Sequence, residues 1–298
     1  MPTPEQRIRA FYGFAFPDDF FAFREFMATL PRGSLADVCD MRPAFPFLVA
    51  AGRAAEGYPD DPAWEDRYYN DLPEFVTVFR GSVDGSHHGY FFDAPGELPP
   101  VCAHFWNSDA FQHDLAGDTL FEATRYHLEK GERDFRDMLE DDPDEAAHYR
   151  RRLKQTERLR EKLSEHFGAD RPETGDDYMD MYGDSAWRKP VADTWDDMGI
   201  VVPKAKYRKL KRDPFAAHPP KPTKAVITPL VAQAKKQLDA GYPGAALKLG
   251  RDLWAWAEKF PACYDLLDAA YAALGREPLR RLLAEARAYR AFCDAGRA

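Results

Sequence analysis

The chain has 298 residues, a formal net charge of −9, and 45% hydrophobic and 14% aromatic content. That length and apolar fraction suit one large or two modest folded domains with a real core. The acidic balance excludes a general nucleic-acid coat, which needs a broad basic surface, and no apolar run approaches the ~20 residues of a membrane-spanning helix.

Near the start, "FPDDFFAFREFMATLP" places Pro17 and two acids where a first helical turn favours them, and Phe20, Phe23, Met27 and Leu30 recur at helical spacing. The spacing predicts an amphipathic helix with an aromatic face. The pattern then changes to alternation rich in Val, Phe, Tyr and Thr, with Asp84-Gly85 as a hairpin signal between two runs. Strands are expected near 74–81, 87–93 and 100–106 as an antiparallel meander with helices on one face. From Asp118 the period is helical again, giving two long helices around the acidic corner 140–145, which reads as a solvated turn. "GADRPETGDD" reads as an interdomain linker. After it, "GIVVP" is a short β-like run, and "HPPKP" breaks the chain. Four helices close it, near 223–240, 243–259, 261–274 and 277–295. The expected class is α+β: an α/β domain over 1–168 with an antiparallel sheet and two long helices, then a mainly helical domain over 169–298.

Several familiar chemistries are missing. There is no GxxxxGK[ST] loop, no GxGxxG after a strand, no HExxH and no GxSxG elbow. Cys39, Cys102, Cys263 and Cys293 lie far apart without CxxC or Cys/His ligand spacing and read as reduced thiols of a cytosolic protein. His87 and His88 are adjacent on a strand and must point to opposite faces. No metal-ligand partners for them are evident in the sequence, so a structural role is expected and no metal site. Trp254 and Trp256 share a helix with Leu249, Leu253 and Phe260 and read as core. The polar N-terminus carries no expected targeting segment.

The segment "KAKYRKLKR", 204–212, gathers six basic side chains into nine positions of this acidic chain, with Tyr207 and Arg208 at its centre. Around it the sequence resembles the histone PARylation factor family. The resemblance runs from "FPDDFFAFREF" through "RYYNDLPEFVTV" and is densest in "HHGYFFDAPGELP". It resumes in "GIVVPKAKYRKL" and in "GAALKLGRDLW". It implies a sheet-and-helix N-terminal domain and a helical C-terminal one. It also implies an accessory factor that is not an enzyme alone. Such a factor docks on a poly(ADP-ribose) polymerase-like transferase, completes its active site and makes serine the acceptor. Tyr207 and Arg208 match the family's Tyr-Arg pair, which shapes the joint site and its contact with the transferase. The guanidinium fork suits a carboxylate or pyrophosphate. The neighbouring lysines raise the local potential for NAD, an ADP-ribosylated protein or an acidic partner. NAD is the partner's expected substrate, and no cofactor is expected on this chain itself.

The family carries an Asp-Glu pair between two helices, where this chain has "KKQLDAGYPG" with one acid. With a one-residue shift Asp239 is the candidate general base; without the shift Ala240 stands at the catalytic position. A carboxylate in the last helical turn meets the negative dipole end, an unfavourable placement for stability. An ordinary solvated aspartate remains open, as does a protein-interaction scaffold that kept the fold and lost the base. The stretch 241–278 also resembles a single tetratricopeptide-like helix pair, whereas stable arrays need about three. Little room precedes the first helix for the extension that family members carry. Abundant Ala, Arg, Asp and Pro beside scarce Ile and Asn point to a bacterial member, located in the cytoplasm (the nucleus in a eukaryote).

Overall fold

The computed structural model describes residues 1–53, 65–108, 111–167, 185–216 and 222–297. The proposed linker and the domain boundary at 168 lie outside the described residues. Four short helices open the chain: α1 (Pro4–Tyr12), α2 (Asp18–Thr29), α3 (Ser34–Cys39) and α4 (Phe45–Ala51), with the two-residue strand β1 (Arg42–Pro43) before α4. The chain continues through β2 (Phe75–Arg80), β3 (Ser86–Phe91), β4 (Val101–Trp106) and β5 (His113–Gly117), and then α5 (Leu120–Asp141) and α6 (Ala146–Phe167). The sheet is antiparallel throughout, in the order β1-β2-β3-β4-β5. The meander therefore has two strands more than the three legible in the sequence. β1 is too short to show a period, and "HDLAG" in β5 contains no β-branched residue, so its pairing with β4 is a tertiary choice.

Local chemistry explains the sheet. Asp84 and Gly85 both adopt positive φ, 49° and 65°, as the hairpin turn requires. Gly89 in β3 allows a close approach: a Cβ there would stand 2.1 Å from Val76 O, beside the register shift between Thr77 and Phe79 of β2. The acids of "FPDDF" do more than charge a helix start. Asp19 Oδ2 accepts from Tyr90 Oη and from Leu120 N, both at 2.8 Å, tying α2 to β3 and to the N-terminus of α5. The acidic corner is an exposed 3-10 turn, Pro143–Glu145, between α5 and α6.

The remaining helices are α7 (Lys224–Asp239), α8 (Pro243–Asp252), α9 (Ala262–Ala273) and α10 (Glu277–Arg297). The expected helix 243–259 stops at Asp252 and passes into a 3-10 turn, Trp254–Trp256. Trp254 is fully buried, and its Nε1 donates to Asn70 O at 3.0 Å, so core packing sets the break. Trp256 is only partly buried, 6.0 Å from the Trp195 ring and 5.8 Å from Phe215. One continuous hydrophobic cluster runs from Ile8 to Ala286 through sheet and helices alike. Buried ion pairs cross it. Arg188 grips Asp93, two residues past β3, with two bonds, 2.7 and 3.0 Å, and Arg251 on α8 pairs with Asp196 and donates to Gly199 O at 2.6 Å. These bonds hold the stretch 188–200 against both the sheet and α8. From there the chain enters the basic segment.

Candidate functional site

The basic segment is anchored at both ends, and its cations are turned outward. At its start, Lys204–Lys206 form a 3-10 turn, and Tyr207 follows in extended conformation with its side chain half-buried against the core. This backbone lies on the first turn of α8 because residue 244 has no side chain. A Cβ on Gly244 would stand 3.0 Å from both Lys206 O and Val202 Cγ2, and 3.2 Å from Tyr207 Cβ. Partial burial pushes the Tyr207 phenol above its ordinary value, so it stays neutral. Midway, Leu210 is buried and Lys211 N donates to Gln233 Oε1 on α7 at 2.7 Å.

At the far end, Lys248 of α8 sits between two carboxylates, 2.7 Å from Asp213 and 2.6 Å from Asp252, with under a tenth of each side chain exposed. Burial disfavours the ammonium, but Asp252 and Asp213 outweigh it and hold Lys248 above its ordinary range. Burial in turn pushes the Asp252 carboxyl up, against the pull of Lys248 and the N–H of Trp195. Lys204, Lys206, Arg208, Lys209, Lys211 and Arg212 are exposed.

The opposite wall is the α7–α8 turn. Tyr242 N donates to Gln237 O and Gly241 N to Leu238 O, both at 2.9 Å, with Gly241 at φ +86°. These two bonds are a Schellman closure, in which the left-handed glycine satisfies the last helical carbonyls. Asp239 is thereby the last helical residue, Ala240 the cap, and Tyr242 the first residue beyond the glycine. Asp239 and Ala240 are exposed, and among the described residues the Asp239 carboxylate takes up no hydrogen bond or ion pair. Tyr242 reaches back to the basic segment: Arg208 Nη2 donates to Tyr242 Oη at 2.5 Å, with its guanidinium 3.9 Å from the ring centroid.

Of the three site residues expected from sequence, Tyr207 and Arg208 lie on the basic segment and Asp239 lies at the end of α7. Arg208 touches Tyr242, and Asp239 stands at the other end of the same closed turn. Sequence reasoning missed Tyr242, Gly244 and the Asp213–Lys248–Asp252 anchor. The i,i+4 spacing of Lys248 and Asp252 was a legible hint; the partnership of Arg208 with Tyr242, 34 positions apart, had no sequence signal.

A family model, histone PARylation factor 1, matches residues 3–287. This chain belongs to the histone PARylation factor 1 family. Among curated relatives it is similar to histone PARylation factor 1 of Danio rerio, 30% identical over 131 residues (41% of this chain and 37% of that protein). The proteins of that name from Mus musculus and Bos taurus are each 29% identical over 138 residues, covering 42% of this chain and 38% of their own length. These matches span well under half of each relative's length. No helix among the described residues is long and apolar enough to cross a membrane.

Proposed function

We propose that this protein is an accessory subunit of a poly(ADP-ribose) polymerase-like ADP-ribosyltransferase. In this reading it docks through Tyr207, Arg208 and the basic segment, and Asp239 completes the partner's active site so that serine becomes the acceptor. The observation that carries this is the Arg208–Tyr242 contact, which sets an exposed guanidinium beside the turn that starts at Asp239, whose carboxylate has no partner among the described residues. A serine hydroxyl is a weak nucleophile at neutral pH and needs a positioned base. Its Oγ attacks the ribose carbon of NAD, nicotinamide leaves, and the hydroxyl proton passes to the Asp239 carboxylate. The transferase binds NAD, and this chain consumes none alone. The exposed lysines favour an anionic surface on the partner or on its ADP-ribosylated product.

The test is acceptor-resolved ADP-ribosylation by the host's transferase with wild type, Asp239→Asn and Ala240→Glu. Asp239→Asn is expected to keep docking and to lower serine transfer by ~10²–10⁴, the usual worth of a general base. An inert Asp239→Asn beside serine transfer gained by Ala240→Glu identifies instead a scaffold that has lost its base. NAD consumption by the isolated chain would overturn the accessory reading.

A further inference from the structure

His87 and His88 do face opposite sides of the sheet, and their surroundings differ. His87 is satisfied: Nε2 lies 2.8 Å from Asp71 Oδ1, Nδ1 lies 2.6 Å from Gly85 O, and the ring stacks on Tyr68. His88 stands directly opposite His104 of β4, their rings 7° from parallel with centroids 4.2 Å apart. His127 of α5 lies across both, with Nε2 2.9 Å from His88 Nδ1. One nitrogen from each ring falls within 4.8 Å of the other two. The three residues are 3–8% exposed.

Beyond Ser86 Oγ, 3.0 Å from His104 Nε2, the imidazoles have little but one another for hydrogen bonding. His104 Nδ1 is buried with no hydrogen-bond partner among the described residues. An orphaned ring nitrogen inside a histidine cluster is a costly arrangement unless something accepts its lone pair. Burial is the main cause that keeps all three below the ordinary histidine range, with His127 at about 3, so they are neutral as ligands must be.

We propose that His88, His104 and His127 bind a divalent transition ion of the zinc class, with the fourth coordination position open to the adjacent cleft. That cleft is about 640 Å³, and the three rings line it with Ser86, Trp106 and Lys130. Three imidazoles with one open position are a zinc-type donor set. Metal–nitrogen bonds of about 2.0–2.1 Å in a tetrahedron set ligand nitrogens roughly 3.3 Å apart. His88 and His127, now at 2.9 Å, separate by a few tenths of an ångström, and His104 closes in. Ser86 is the outer hydrogen bond that fixes the His104 ring. Lys130 is the cation whose charge reaches all three rings, and its field also reaches Asp114 and Asp134, which temper it. A bound ion pins α5 to β3 and β4 and offers its free position to water or a small anion in the cleft.

The experiment titrates chelator-treated full chain with Zn²⁺ by calorimetry and repeats the titration on His127→Phe and on His148→Ala, whose histidine lies in the same cleft outside the cluster. One equivalent is expected for wild type and His148→Ala, with a melting temperature raised by about 3 °C or more at saturating zinc. Neither uptake nor a melting shift is expected for His127→Phe. Co²⁺ on wild type should give the intense visible absorption of a tetrahedral site, which decides the matter even if His127→Phe fails to fold. No stoichiometric uptake, uptake undiminished in a folded His127→Phe, or only the weak spectrum of octahedral Co²⁺ overturns the proposal.

Discussion

The guanidinium of Arg208 lies 3.9 Å from the ring centroid of Tyr242 and donates to its hydroxyl at 2.5 Å. One contact thus joins the basic segment to the turn that closes α7. Both partners are at least partly exposed, so the contact contributes little to stability. Its consequence is orientation: a flexible cation is held in one place against the turn that follows Asp239.

Arg208→Ala is expected to leave the thermal melt unchanged within about 0.5 kcal/mol, as an exposed substitution does. If Arg208 docks the transferase through a desolvated anion contact, as proposed, affinity should fall by ~2–5 kcal/mol. Titration of labelled transferase beside a melt reads both. Equal affinity would leave the segment as a solvated surface.

Two glycines near the site fail for different reasons when replaced by alanine. Gly241→Ala meets nothing within 4 Å but must hold φ at +86°, which costs ~1 kcal/mol and leaves the basic segment in place. Gly244→Ala gains helix propensity of ~1 kcal/mol, yet its Cβ meets Lys206 O and Val202 Cγ2 at 3.0 Å. We expect no net stabilisation from it, and weaker transferase binding as the segment shifts. Chemical denaturation paired with binding separates the two variants.

Lys248→Met strands Asp213 and Asp252, two carboxylates that are nearly buried. Breaking such a cluster by removing its cation costs about 3–5 kcal/mol. Adding Asp213→Asn and Asp252→Asn to the methionine variant should recover part of that loss, measured as urea midpoints. A wild-type midpoint for the single variant would show that the cluster is not the anchor.

Acid sensitivity should trace in part to His113. Burial holds this imidazole down at about 4, its ring stacked on Phe105 with both nitrogens lacking hydrogen-bond partners among the described residues. A histidine whose folded value is depressed favours the neutral form. The unfolded chain therefore binds the proton first as pH falls below about 6.5, and stability is lost progressively down to pH about 4. At pH 4.5 the loss from this group is roughly 2–3 kcal/mol. His113→Phe should flatten that part of the profile when urea midpoints are compared at pH 7.5 and 4.5. Identical slopes would assign the sensitivity to other groups.

Local periodicity determined much of this protein. The aromatic face of α2, the Asp84-Gly85 hairpin, the two long helices around an acidic turn and the breaks between the C-terminal helices follow from spacing and turn chemistry that neighbouring residues carry by themselves. Tyr207, Arg208 and Asp239 stood out through resemblance to a family, and local periodicity by itself assigns them no role. Tertiary structure alone decided the rest. β5 is a strand because β4 offers it an edge, and the helix after Pro243 stops at Asp252 because Trp254 is taken into the core. Arg208 meets Tyr242 because Gly244 lets two backbones close to contact. His88, with its partners 16 and 39 positions away, becomes part of a cluster only once sheet register and α5 packing set three rings together. Contacts of that range depend on how elements stack, and the spacing of residues along the chain carries no record of it.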